Sequence, residues 1–199
     1  MAGVKHIKQE RTLVLLKPDG VKRGLVGEVF SRLERRGLKI VAVKMVSVDR
    51  KHLERHFPSD PEWIARLGDK GLKTFAEYKL DAKEHMGTDD RKEIGAKVKE
   101  SLFVYMSSGP IVAAVVEGFH AIDMVRKVAG HTLPVFAEMG TVRGDYSVDS
   151  PAIANVEGRA IKNIMHASEN PEEAANEIDL WFDKSELHDY ERAETDTMF

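Results

Sequence analysis

The run Asn163-Ile164-Met165-His166-Ala167-Ser168, followed by Glu177 and the apolar pair Trp181-Phe182, holds the side chains best suited to covalent chemistry. An imidazole is the one side chain here that is a good nucleophile near neutral pH without help, because its ordinary pKa leaves much of it unprotonated. For His166 to act this way, one ring nitrogen must keep its lone pair while the other holds a proton against a fixed acceptor. Glu177 supplies that acceptor if a helix beginning at Pro171 folds back over a strand carrying His166. Ser168 shares the strand face of His166, since side chains alternate with period two, so its hydroxyl can bond near the ring. Taken alone, the same spacing fits a structural histidine in an apolar strand.

Cations stand at several element ends. Lys17-Pro18-Asp19-Gly20 places an ammonium where a strand gives way to a turn, and a lysine there can hold a phosphate as a point charge. Arg143 lies in Thr141-Val142-Arg143-Gly144-Asp145, Arg126 in the helix before that loop, and Thr132 just past the helix end. Two arginines, a lysine and a threonine hydroxyl suffice to neutralise and orient a polyphosphate. A solvated turn lysine and surface ion pairs are the alternatives, residue by residue. The chain has no Gly-Lys dipeptide and no two glycines two apart, which excludes the P-loop and the dinucleotide fingerprint. His52 and His56 lie four apart, a zinc spacing, but no third ligand is apparent and a polar helical face accounts for both.

Composition bounds the rest. With 199 residues, 42% hydrophobic and 32% charged, the sequence describes a globular chain with one core, and nothing demands a second domain. No apolar run reaches membrane-spanning length, and the first residues lack the apolar core of a signal peptide, so a cytoplasmic protein is expected. The absence of cysteine excludes disulfides, thiolate nucleophiles and thiolate metal sites. A net charge of -3 gives no general attraction to nucleic acid or anionic lipid.

The elements that must position these residues follow from pattern. Met1 to Glu10 is polar, an edge or a loose arm. Thr12 to Leu16 predicts a strand buried on both faces, stopped by Pro18-Asp19-Gly20. Val26, Val29, Phe30 and Leu33 recur at helical spacing before Gly37, Leu38 to Val48 is β-rich, and Asp49 caps a short helix through His56. From Pro58 to about Val98 charges and glycines dominate, predicting an inserted, largely helical excursion with an amphipathic piece near Trp63 to Tyr78. Lys99 to Met106 predicts helix, Ile111 to Val116 a buried strand, Ala121 to Ala129 a helix, His131 to Asp149 a long irregular loop, and Ile153 to Ile161 a helical turn or two. The strand of His166 and a helix from Pro171 complete an α+β arrangement: a split β-α-β sandwich with a four-stranded antiparallel sheet and helices on one face.

Taken together, Lys17-Pro18-Asp19-Gly20-Val21-Lys22-Arg23-Gly24-Leu25-Val26-Gly27, Ser108-Gly109-Pro110, Gly140-Thr141-Val142-Arg143-Gly144-Asp145, the His166 run and Glu177-Ile178-Asp179-Leu180-Trp181-Phe182 resemble the nucleoside diphosphate kinases over nearly the whole chain. The resemblance implies a ferredoxin-like βαββαβ fold, and transfer of the γ-phosphate of a nucleoside triphosphate to a nucleoside diphosphate through a phosphohistidine, with Mg2+. It implies that His166 is phosphorylated, that Glu177 and Ser168 orient it, and that Lys17, Arg126, Thr132, Arg143 and Asn163 hold phosphates and sugar. It also implies a homo-oligomer, a hexamer built from dimers, with nucleoside triphosphates and diphosphates as partners and neither membrane nor specific nucleic acid among them. The magnesium ion is expected to bridge phosphates with little direct protein ligation.

Two departures stand out. The 58–98 segment is an insertion where the family runs directly to an aromatic residue that stacks on the base; a gapless count puts Val98 there, with Phe57 nearby where the family often has tyrosine. The link from Val148 to Ala160 is longer than usual, and His131-Thr132-Leu133-Pro134 replaces a more usual Glu-Thr-Asn-Pro. A nucleotide-binding regulatory module without turnover, and an oligomeric scaffold built on the insertion, are the rival readings.

Overall fold

A computed structural model describes residues 9–193. The polar start expected at Met1 to Glu10 falls mostly outside the described residues, with Gln9 and Glu10 opening the first strand. In chain order the elements are β1 (Gln9–Leu16), α1 (Pro18–Lys22), α2 (Val26–Arg35), β2 (Lys39–Val46), α3 (Arg50–His56), α4 (Pro61–Glu77), α5 (Ala82–Met86), α6 (Arg91–Met106), β3 (Ile111–Phe119), α7 (Ala121–Ala129), α8 (Val142–Tyr146), α9 (Pro151–Val156), β4 (Met165–Ala167) and α10 (Pro171–Trp181).

The four strands form one sheet in the order β2-β3-β1-β4, with every neighbouring pair antiparallel. β1 is central and apolar from Leu13 to Leu16, as a strand covered on both faces must be. Leu13 and Leu15 pack with Leu53, Phe103, Ile178 and Trp181, on the side of α3, α6 and α10. Val14 and Leu16 pack with Val29, Leu33, Val125 and Ala129, on the side of α2 and α7. The sheet therefore carries helices on both faces, where the sequence pattern placed them on one. The period-two alternation of β1 feeds two cores, which a continuous apolar run cannot reveal by itself.

Three boundaries differ from the sequence expectation. The helix predicted from Lys99 begins at Arg91, because the Asp90 side chain accepts hydrogen bonds from the backbone N–H groups of Lys92 and Glu93 and starts it eight residues earlier. The loop from His131 to Asp149 contains α8, capped by Thr141, whose side chain accepts from the Gly144 N–H. The turn placed at Ile153 to Ile161 is α9, which starts at Pro151 behind a Ser150 cap.

The 58–98 insertion is helical as expected and has its own small core of Phe75, Ala82, Met86 and Ile94. α4 and α6 cross at two glycines. A Cβ on Gly68 would lie 1.7 Å from the Arg91 carbonyl oxygen, and one on Gly95 would lie 1.9 Å from that of Ile64. Backbones this close admit no side chain at either point. The 58–98 segment rests on the 148–160 link as well, since α4 and α5 both contact α9, and just past the segment the Ser101 hydroxyl donates to the Gly158 carbonyl at 3.4 Å. No helix among the described residues is long and apolar enough to cross a membrane.

In an open helix, alanine in place of glycine gains ~0.5–1 kcal/mol. Here the sign reverses. Gly68→Ala and Gly95→Ala are each expected to destabilise the fold by about 1–3 kcal/mol through overpacking, read as a lowered midpoint in chemical denaturation. A midpoint that stays put or rises would mean that the two helices do not meet at these residues.

Candidate active site

The site is built where β1 ends beside β4. Leu15 pairs with His166 and Leu16 with Met165. The next residue, Lys17, donates its backbone N–H to the Ile164 carbonyl at 2.8 Å. Its half-buried ammonium donates to Asn163 Oδ1 at 2.7 Å and lies 5.6 Å from the centre of the Tyr105 ring. Burial, reinforced by the Arg143 charge, pushes the Lys17 pKa down to about 7.

Ahead of His166 the backbone is bent hard. Ile164 has φ +71°, and the Met165 N–H donates to the Asn163 carbonyl at 2.8 Å, the three-residue ring of a γ-turn. A β-branched residue with positive φ is strained, at a cost of order 1–3 kcal/mol. The Lys17-Pro18-Asp19-Gly20 motif holds it there. Asp19 Oδ2 accepts from the Ile164 N–H at 3.1 Å, while Asp19 Oδ1 accepts from the Tyr105 hydroxyl at 2.5 Å. Gly20 leaves the room: a Cβ on it would lie 2.9 Å from the Ile164 oxygen.

His166 Nε2 lies 2.8 Å from Glu177 Oε1 and 2.9 Å from Oε2. Burial would raise the Glu177 carboxyl, but the hydrogen bond and charge of His166, with help from His56 and Ser168, bring it below the ordinary carboxylate value. An ionised carboxylate only accepts, so Nε2 carries the ring proton and Nδ1 keeps the lone pair. The Ser168 hydroxyl donates to Glu177 Oε2 at 2.7 Å and accepts from the Leu13 N–H at 3.3 Å, tying the carboxylate to the central strand. The fold thus brings His166, Ser168 and Glu177 together in the arrangement their spacing suggested.

The remaining residues are placed less uniformly. Asn163 is buried, and its amide donates to the Thr132 carbonyl at 2.9 Å, so Thr132 meets the site through its backbone while its residue is exposed. Arg143 is buried and donates from Nε and both terminal nitrogens to the carbonyls of Asn163, Gly130 and Met165, at 3.1, 2.6 and 2.7 Å. Three of its five N–H groups therefore brace the approach to His166, leaving two for a ligand. Burial, with the nearby Arg126 charge, pushes its pKa down to about 10, which leaves it cationic at neutral pH. Arg126 donates to the Glu169 carbonyl at 2.7 Å and its side chain is 45% exposed.

Sequence reasoning missed three participants. His56 does not lie on a polar helical face. Its side chain is 2% exposed, its ring centre is 5.1 Å from that of His166, and its Nδ1 is 3.5 Å from Glu177 Oε1. Trp181 donates its indole N–H to that Nδ1 at 3.4 Å. Burial, with the charge of His166 next, pushes the His56 pKa down to about 3, so it is neutral. Asp19 and Tyr105 are the other two, and no local signal links them to a turn more than fifty residues away in sequence. Val98, the gapless candidate for the base platform, packs instead with Leu72 and Leu80 against the insertion core. Phe57 lies beside His56, with ring centres 4.8 Å apart, and 6.5 Å from Trp63.

An imidazole with one nitrogen clamped by a carboxylate, behind a turn that Lys17 and Arg143 brace, is equipped to accept a group from an anion. A sequence profile for "Nucleoside diphosphate kinase" matches residues 10–62 and 60–187. The nucleoside diphosphate kinase of Pyrobaculum aerophilum is 51% identical over 178 residues, covering 89% of this chain and 97% of that protein. The crystal structure of an NDP kinase from the same organism superposes with a TM-score of 0.87 at 48% identity, covering 91% of this chain and 100% of that one. The Borrelia burgdorferi nucleoside-diphosphate kinase, described as a transition state mimic with bound vanadate and ADP, gives a TM-score of 0.74 at 35% identity over 95% and 96% of the two chains. With a family profile matched from residue 10 to 187, a relative 51% identical over 89% of this chain and a solved structure superposing at a TM-score of 0.87, the protein belongs to the nucleoside diphosphate kinase family.

Proposed function

We propose that this kinase moves phosphate between nucleotides through a phosphohistidine at His166. The observation that carries the reading is the Glu177 carboxylate on His166 Nε2, which leaves Nδ1 as the nucleophile. In the first half-reaction the Nδ1 lone pair attacks the γ-phosphorus, the bond from phosphorus to the bridging oxygen breaks, and the diphosphate leaves with that electron pair. The phosphorylated ring is then cationic, and Glu177 stabilises it. A second diphosphate reverses the steps.

Lys17, Arg126 and Arg143 meet the charge on the phosphoryl oxygens, and Asn163 and Thr132 position phosphate or sugar. Ser168 holds Glu177 in place. The two carboxylates drawn into the site, Asp19 and Glu177, already accept hydrogen bonds from Tyr105, Ile164, His166 and Ser168, which fits a magnesium ion carried by the nucleotide phosphates in place of one held by the chain. When bound, that ion would neutralise charge between adjacent phosphates. We read the chain as one kinase domain with the insertion as part of it, and place it in the cytoplasm on its cysteine-free, weakly acidic composition.

Self-association belongs to the same proposal. β2 is an edge strand whose first half is covered by the chain's own C-terminal segment, His188 N–H donating to the Val41 carbonyl and the Tyr190 hydroxyl to that of Ile40, while Val43 and Met45 further along are 56% and 61% exposed and present apolar surface at that edge. A hexamer is the form expected from the resemblance. Light scattering on the eluted protein tests it, and a monomer at micromolar concentration would remove this part of the reading.

Incubation with labelled ATP and no acceptor is expected to leave an acid-labile phosphate on the protein, absent from His166→Ala. Label persisting on that variant would overturn the assignment. Glu177→Gln turns a charge-assisted hydrogen bond into a neutral one and removes the carboxylate opposite the cationic phosphorylated ring, a loss of ~1.5–3 kcal/mol, so kcat is expected to fall about 10–100-fold while the nucleotide KM changes little.

The depressed Lys17 pKa sets a pH dependence. An anionic ligand favours the protonated amine, so binding draws a proton onto Lys17 at pH above 7. Nucleotide KM is expected to climb from about pH 7 upward, by at most about tenfold per pH unit, and Lys17→Gln should flatten that limb. A wild-type KM flat from pH 7 to 9 would show that the charge on Lys17 is not used in binding.

A further inference from the structure

The site also assembles a donor set that phosphate transfer does not call for. His56, His166 and Glu177 each offer one ligand atom, and the three atoms all lie within 4.8 Å of one another. Both oxygens of Glu177 lie near His166 Nε2, Oε1 at 2.8 Å and Oε2 at 2.9 Å, but Oε2 also takes the Ser168 hydroxyl, whereas Oε1 is the one 3.5 Å from His56 Nδ1 and so stands between the two histidines. The side chains are 2%, 21% and 8% exposed for His56, His166 and Glu177, so the cluster is shielded from water.

The geometry points to an inhibitory site for a borderline divalent cation of the zinc class, held by His56 Nδ1, His166 Nε2 and Glu177 Oε1. Two imidazoles and a carboxylate are a common zinc set, with metal-to-ligand bonds of about 2.0–2.2 Å that put neighbouring ligand atoms roughly 3.4 Å apart in a tetrahedron. The pair at 3.5 Å already stands at that separation, and the pair at 2.8 Å reaches it by opening well under an ångström. Ser168 on the other carboxylate oxygen, itself tied to the Leu13 N–H, is the kind of outer contact that orients a ligating carboxylate. The ion would replace the proton between His166 and Glu177 and the long 3.4 Å hydrogen bond from Trp181 to His56. Magnesium does not compete for it, since that ion prefers six oxygen ligands and gives up water reluctantly.

The consequence for turnover follows from the tautomer and rests on His166 acting as the nucleophile. A metal on Nε2 forces the remaining ring proton of a neutral imidazole onto Nδ1. The lone pair that attacks phosphorus is then gone, and Glu177 no longer accepts from the ring. Occupation by metal and phosphorylation therefore exclude one another.

The test separates binding from catalysis. Zinc added to the intact protein without nucleotide, in competition with a chromophoric chelator, is expected to bind at one ion per chain. Affinity is expected to drop at least tenfold in His56→Gln and in Glu177→Gln, each shown to be folded by circular dichroism, and to stay unchanged in His85→Gln, a substitution within the insertion. No stoichiometric binding to the wild type, or equal binding by His56→Gln, overturns the site. Labelling by ATP at fixed magnesium is then expected to slow as zinc is added, and to be at least tenfold less zinc-sensitive in His56→Gln. Zinc that binds through these three residues and leaves labelling unchanged would sustain the metal site and sink the nucleophile reading instead.

Discussion

The hydrogen bond between His166 Nε2 and Glu177 decides what the rest of the fold can do. An imidazole with both nitrogens unassigned distributes its proton between two tautomers, and only one of them has a lone pair on Nδ1. A buried carboxylate at 2.8 Å removes the ambiguity. That carboxylate must then be kept ionised although burial opposes it, and Ser168 and the neighbouring histidines supply the compensation. Ser168 in turn takes the Leu13 N–H, so the chain of constraint ends in β1, whose residues from Leu13 to Leu16 are fully buried.

Presenting the ring to an anion needs a second constraint. The γ-turn at Ile164 re-aims the chain just before β4, with a strain of order 1–3 kcal/mol. Several small terms offset it. The Lys17 N–H and Asp19 bonds contribute roughly 0.5–1.5 kcal/mol each, and the fully buried Ile164 side chain about 1.5–3 kcal/mol. The phosphate-binding candidates are thus also builders: Lys17 fixes Asn163, and Arg143 fixes three carbonyls around the turn. A charge held by backbone carbonyls does not have to be ordered when a nucleotide arrives, which is the economy of a preorganised site.

How much of this was legible beforehand depended on range. The elements carrying the site could be read because their signals are local: Asn170 and Pro171 at the start of α10, Gly37 after α2, the apolar run of β1. His166, Ser168 and Glu177 lie within twelve residues, so strand parity and one helix turned back sufficed. His56 was not legible, because its polar neighbours Arg55 and Glu54 make α3 look solvated, and only the tertiary placement of Trp181 against that helix shows which side is covered. Two-sided coverage of the sheet was missed for a related reason: a continuous apolar run says that both faces are buried, not which elements bury them.

The 58–98 and 148–160 stretches are parts of one structure. The 58–98 segment and the 148–160 link touch through α4, α5 and α9, and the next turn of α6 adds the Ser101 to Gly158 bond. The insertion's far end is α6, which delivers Phe103 to the core under β1 and Tyr105 to Asp19. The link's far end is Asn163, which receives Lys17. An element that began as a free excursion would add nothing to the site. Here both ends lead into the turn that presents His166, through the Tyr105 hydroxyl on Asp19 and the Lys17 ammonium on Asn163. The Val98 side chain packs on the small core of this stretch, and the aromatic residue beside His56 on that side is Phe57, with Trp63 next to Phe57.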